Sequence, residues 1–148
     1  RLRGEEAPPP AECEVLIDEI ERMPEAAGSP RAAVVPPGYV EDENHRVLVY
    51  RKLAACLSEG DLDRLREELR DRFGPVPPAV DRLLAVARIR IEASVRGLDR
   101  VEVREGRVML RRPEGYQMRG GRFPRLQAAS ADERLGEVLA CVRALGQR

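Results

Sequence analysis

Tryptophan is absent and aromatic residues make up only 3% of the 148 residues. The core must therefore be aliphatic, and few rings are available to stack on nucleic-acid bases. Histidine occurs once, as His45, and cysteine three times, as Cys13, Cys56 and Cys141. A single histidine and three scattered thiols without CxxC spacing give no metal-ligand set and no disulfide framework. Cys56 and Cys141 fall in helical patterns beside apolar residues and read as small buried hydrophobes. Long apolar runs and a signal peptide are also missing, so the expectation is a reduced, cytoplasmic protein without a membrane partner. No GxxxxGK[ST] loop and no GxGxxG after a strand is present, and Gly120-Gly121 reads as a turn. His45 lies among Asp42, Glu43 and Asn44 at a helix start, with no nucleophile nearby in sequence, and reads as solvated. The sequence thus predicts no catalytic residue, no metal and no cofactor. An excess of either charge is missing as well: 26 basic residues balance 26 acidic ones. A dedicated nucleic-acid binder shows a basic excess, so composition argues against DNA as the main partner. Among the cations, Lys52 is the only lysine.

What the chain does contain is helical periodicity over Glu41–Gly97. Val47, Tyr50, Ala54 and Leu57 recur at helical spacing, then Leu62, Leu65, Leu69 and Phe73, then Val80, Leu84, Ala87 and Ile91. Asp42 is placed to cap the first helix, which runs to about Leu57, and Ser58 with Asp61 to cap the second. Gly74 closes the second helix, and Pro75, Pro77 and Pro78 separate it from a third ending at Gly97. The period then falls to two. A two-residue loop at Glu105-Gly106 would set Val103 opposite Val108 and Val101 opposite Leu110, a hairpin with one apolar face. One further short strand is expected near Arg122–Gln127. A last helix opens on the Ser130–Glu133 capping box, with Leu135, Val138, Leu139, Val142 and Leu145 inward, and closes at Gly146. Upstream, residues 13–18 alternate like a strand, although a helical turn fits IDEIERM equally. Ala32–Val35 reads as a short or edge strand stopped by Pro36-Pro37. The expected fold class is α+β: about four helices packed with a small antiparallel sheet. Residues 1–30 read as a linker and N-terminal extension containing one candidate strand, and residues 31–148 as the domain. The Pro8–Pro10 triplet reads as a stiff spacer, and a start without methionine suggests a piece of a longer chain.

One surface cluster stands apart. Glu68, Asp71 and Arg72 share a face of the second helix beside its apolar stripe. Pattern alone leaves two readings: a solvated face with internal pairs such as Arg64 with Glu68 and Glu68 with Arg72, or a patch that docks a basic partner.

Linked motifs narrow the choice. Pro36-Pro37-Gly38-Tyr39-Val40, Arg46 to Leu53, Leu65 to Gly74, Pro77 to Val80, Leu84 to Arg90 and Gly97-Leu98 follow in order. Over about half the chain they resemble the C-terminal domain of bacterial transcription-repair coupling factors, the Mfd family. Residues 1–5 resemble the end of the preceding helix of the translocase module, and residues 11–31 depart from the short linker usual in the family. The resemblance implies a regulatory domain without an active site. ATP and magnesium belong to an upstream motor. The family's domain docks on the N-terminal module of its own polypeptide and covers the surface that binds the repair protein UvrA. It thereby restrains the DNA translocase until RNA polymerase is engaged. The family's docking acid, acid and arginine map onto Glu68, Asp71 and Arg72. A different class of function also fits the residues: a nucleic-acid-binding module using Arg88, Arg90, Arg96, Arg100, Arg104, Arg107, Arg111 and Arg112 of the third helix and hairpin.

Overall fold

A computed structural model describes residues 12–146. The helix end expected at residues 1–5 and the proline spacer lie outside the described residues. In chain order the elements are β1 (Glu14–Ile17), a single 3-10 turn at Pro24–Ala26, α1 (Glu43–Ala55), α2 (Glu59–Phe73), α3 (Pro78–Val95), β2 (Arg100–Arg104), β3 (Arg107–Arg112), β4 (Gly115–Gln117) and α4 (Ala131–Arg143). The fold is α+β, with four helices around one mixed sheet of order β1-β2-β3-β4.

The helix boundaries follow from local chemistry. Asp42 accepts from the backbone N–H groups of Asn44 and His45 at 2.7 and 3.3 Å, satisfying donors left open at the start of α1. Ser58 accepts from the N–H of Asp61 at 3.1 Å while the Asp61 carboxylate accepts from the N–H of Leu57 at 3.0 Å. That reciprocal pair fixes the turn between α1 and α2. Gly74, at φ 96°, ends α2 in a region that side chains avoid. Ser130 caps α4 by accepting from the N–H of Glu133 at 3.1 Å.

The hairpin forms in the expected register, Val103 opposite Val108 and Val101 opposite Leu110. Glu105 and Gly106 sit at φ 51° and 78°, the two successive positive angles of a type I′ turn, whose twist matches that of the strands. The sheet is not wholly antiparallel, because β1 lies parallel to β2 with Val15 beside Val101 and Ile17 beside Val103. The three-helix crossover α1–α3 makes that pairing possible, since parallel neighbours cannot be joined by a tight turn. The third hairpin strand is β4, at Gly115–Gln117. The stretch expected as a strand near Arg122–Gln127 instead contributes to two isolated bridges, Arg107 with Arg125 and Arg119 with Arg122.

Two expectations are corrected. Val47, Tyr50 and Leu57 are exposed, and α1 buries Val49 and Leu53 instead. The run Val47-Leu48-Val49-Tyr50 is apolar on every side, so periodicity could not select its inward face. The segment Ala32–Val35 is no strand but a fully buried connection. Its backbone is satisfied by the Ser29 and Glu21 carbonyls, which accept from the N–H groups of Ala32 and Ala33, and by distant side chains: the Tyr50 hydroxyl accepts from the Val35 N–H at 2.9 Å, and the Arg82 guanidinium donates to the Ala32 carbonyl at 2.6 Å.

Helix α3 is the hub, touching α1, α2, α4, β1 and β2. Val80, Leu84, Ala87 and Ile91 are buried on it as the spacing predicts, facing Leu62, Leu65 and Leu69 of α2 and the valines of the hairpin in one core.

Candidate functional site

The cluster lies at the C-terminal half of α2, and the end of that helix is fixed by Tyr39. The Tyr39 hydroxyl is shared between the carbonyls of Leu69 and Gly74, at 3.1 and 2.9 Å. Burial pushes the ionisation of this phenol up, so it stays a hydrogen-bond donor. The Tyr39 ring meets Phe73 with centroids 5.8 Å apart, and the Arg72 guanidinium lies 5.0 Å from the Phe73 ring centre. A helix C-terminus leaves carbonyls unpaired; here Tyr39, from the turn before α1, donates to the carbonyl of the capping Gly74 and fixes the helix end that carries Asp71 and Arg72.

Glu68, Asp71 and Arg72 have distinct surroundings. The Glu68 carboxylate pairs with the Lys52 ammonium of α1 and lies 3.8 Å from Arg72. Arg64, expected as a partner of Glu68, pairs with Asp61. The Asp71 side chain is 72% exposed, with only a long 3.8 Å approach from Arg70. Asp71 is thus the open charge, and Glu68 is held by its cation pair. The face continues across a shallow cleft between the helices, lined by His45, Leu48 and Lys52 from α1 and by Glu68, Arg72 and Phe73 from α2. His45 and Leu48 are exposed. A charged rim around exposed aliphatic surface is the composition of a protein-binding face.

Lys52 and Leu48 were not read as site residues in the sequence. They sit on another helix, and only the α1–α2 packing brings them in. One signal was available, since Lys52 is the only lysine of the chain. His45 is an exposed residue at the start of α1, as read. Among the described residues, no group of three or more His, Cys, Asp or Glu is placed to hold a metal ion, and no helix is long and apolar enough to cross a membrane.

The arginines of the nucleic-acid reading are mostly occupied within the fold. Arg88 pairs with Glu59 and Asp63 of α2 at 3.3 and 3.4 Å. Arg90 donates to the carbonyls of Leu53 and Cys56, closing α1. Arg96 is buried between Glu92 and the Leu145 carbonyl, and Arg112 donates to the carbonyls of Arg96 and Gly146. Arg100 and Arg104 both pair with Glu102, and Arg111 with Asp99. Of the eight, Arg107 alone makes neither an ion pair nor a side-chain hydrogen bond with a described residue, while Arg90 and Arg112 are held by hydrogen bonds without a carboxylate.

The motifs are thus largely architectural. Tyr39 clamps α2, Tyr50 receives the buried connection, and Arg88 and Arg90 tie α3 to the first two helices. Such interlocked parts define a small α+β domain of four helices and one mixed sheet. The family model described as the TRCF domain matches residues 30–120, more than half of the chain, and the chain belongs to that family. Among curated relatives, the transcription-repair-coupling factor of Haemophilus influenzae is 41% identical over 59 residues, 40% of this chain and 5% of that protein. That of Escherichia coli K12 is 33% identical over 73 residues, 49% of this chain and 6% of that protein. The Mycobacterium tuberculosis factor is 40% identical over 62 residues, covering 42% of this chain and 5% of its own length. The chain therefore spans only a small fraction of the length of these relatives. A crystal structure of the C-terminal domain of a transcription-repair coupling factor superposes with a TM-score of 0.62. It is 19% identical, and the match covers 90% of this chain and 96% of that one.

Proposed function

We propose that this chain is the regulatory, autoinhibitory domain of a transcription-repair coupling factor. In this reading the α2 face carrying Glu68, Asp71 and Arg72 docks on the N-terminal module of the same polypeptide. The docked domain covers the surface that binds UvrA and restrains the DNA translocase until RNA polymerase is engaged. ATP and magnesium act in the upstream motor, RNA polymerase and DNA are reached through the parent protein, and the setting is the cytoplasm. The observation that carries this reading is the exposure of Asp71 on a face whose other two charges are held still, Glu68 by Lys52 and Arg72 over Phe73.

The physical role is a population shift. Charge pairing across the docked face favours the closed state by a coupling free energy of about 1–3 kcal/mol, and an opening ligand must supply the difference. The test is a pull-down of UvrA by the full-length factor carrying Glu68→Arg and Asp71→Arg together. Retention of UvrA rises several-fold if the face is a clamp. Unchanged retention, with the helical circular dichroism of the domain intact, would remove the docking role.

A further inference from the structure

A second surface carries positive charge without carboxylate partners among the described residues. From Gly115 to Ala131 the sequence contains no Asp or Glu, although acidic and basic residues are equal over the whole chain. That stretch holds Arg119, Arg122 and Arg125, and Arg107 joins them from β3. All four are exposed, and among the described residues none of their guanidinium groups has a carboxylate partner. Among nearby acids, Glu102 pairs with Arg100 and Arg104, Asp99 pairs with Arg111, and Glu137 accepts from the backbone N–H groups of Gln127 and Ala128.

The backbone sets these arginines directly opposite one another. Arg107 and Arg125 are partners in an antiparallel bridge, flanked by the hydrogen bonds Val108 N–H to Pro124 carbonyl and Leu126 N–H to Gly106 carbonyl, both 2.8 Å. That is the non-hydrogen-bonded type of pair, in which side chains lie closer together. Arg119 and Arg122 form a second pair, exchanging backbone hydrogen bonds of 2.9 and 3.1 Å across Gly120 and Gly121 at φ 59° and 76°. Like charges directly opposite on neighbouring strands are destabilising. Two such pairs in one ribbon, with acids available elsewhere in the chain, mark charge kept for an external anion.

We propose that Arg107, Arg119, Arg122 and Arg125 form a site for the phosphodiester backbone of a nucleic-acid duplex. Spacing between opposed side chains of about 5 Å suits adjacent phosphates, about 7 Å apart along a strand, once the long guanidinium arms splay. Base reading is not built in. Tyr116 is the one exposed aromatic ring here, and it is turned edge-on against Phe123 with centroids 5.6 Å apart. Binding is therefore independent of sequence, weak, and steeply dependent on salt.

The test is fluorescence anisotropy of the 148-residue chain with a 20-base-pair DNA duplex between 20 and 200 mM salt. Parallel titrations use the corresponding single strand and poly-glutamate. With four phosphate contacts the slope of log K against log salt is about −3.6, at about −0.9 per contact. The triple variant Arg119→Ala, Arg122→Ala, Arg125→Ala brings the slope to about −1 and lowers affinity at least tenfold at 20 mM salt, whereas the triple lysine variant retains binding. Arg125→Glu, which places opposite charges across the bridge and leaves two open arginines, lowers the slope to about −1.8 and weakens binding while raising the thermal midpoint, so misfolding cannot account for the loss. Duplex binding that survives the triple alanine change overturns the proposal. So does absence of duplex binding at 20 mM salt, preference for the single strand, or binding of poly-glutamate alone.

Discussion

Single side chains in this protein mostly close backbone accounts, and Tyr39 shows the consequence for the candidate site. Its hydroxyl serves two carbonyls at the α2 terminus, 3.1 and 2.9 Å away. Removing a buried partner costs about 1–3 kcal/mol through the polar group left unsatisfied. Tyr39→Phe should therefore lower stability by about 1–2 kcal/mol in urea melts and loosen the turn that carries Asp71 and Arg72. Faster hydrogen exchange at Gly74 than at the middle of α2 would report that loosening. Cys56 is buried and Cys141 partly buried, in line with their apolar sequence surroundings, and Cys13 is buried as well. Burial pushes the Cys13 thiol from 9.0 up to about 12, with Asp99 adding to the rise and Arg90 opposing it. A thiol that stays neutral in the fold ionises first in the unfolded chain. Its contribution is thus complete below pH 9 and is lost as pH rises from 9 toward 12. Relative to Cys13→Ala, the parent should lose stability over that window and show no difference in pH dependence below it. At pH 8 the folded chain should resist alkylation at Cys13 until denaturant is added.

At the scale of elements, the hairpin is where sequence and structure agree most closely, because its turn chemistry and its alternation specify the same register. Glu105 and Gly106 both adopt positive φ, at 51° and 78°. Gly106→Ala should cost about 1–2 kcal/mol through the left-handed penalty, read as a lower urea midpoint with an unchanged far-ultraviolet spectrum. Glu105→Asn should give a small gain, since asparagine tolerates that conformation. Helices α2, α3 and α4 were equally legible, with strong one-sided stripes and capping residues in place. Helix α1 was legible as an element and illegible in orientation, since Val47, Leu48, Val49 and Tyr50 give no unique inward face. The parallel partner of β1 is set by a strand pairing between Glu14 and Arg100, separated by the whole crossover, which no local pattern encodes. Likewise Ala32–Val35 looked like a strand because it is apolar and extended. Its burial depends instead on Arg82, a residue near the start of α3 that donates to Ala32 and Ser29 and pairs with Asp132 at the start of α4.

For the whole molecule, two charged faces coexist on a chain of zero net charge. Glu68, Asp71 and Arg72 were legible as a cluster because they share one helix. Their setting beside Lys52 and Leu48 required the packing of α1 on α2, and their role rests on the family. The arginine ribbon was hidden for the opposite reason. Sequence counts eight arginines in α3 and the hairpin, and the fold engages all but Arg107 in internal ion pairs or hydrogen bonds, while Arg119, Arg122 and Arg125 remain open in a loop. The clamp and the ribbon make separable claims, since alanine at the ribbon leaves the α2 face untouched. The measurement that bears most directly on the clamp is the basal ATPase rate of the full-length factor carrying Asp71→Arg, compared with the parent and with a deletion of this domain. The account predicts that Asp71→Arg raises the rate toward that of the deletion, several-fold above the parent. A deletion that accelerates the motor beside a folded Asp71→Arg protein that does not would contradict the assignment of this face as the restraint.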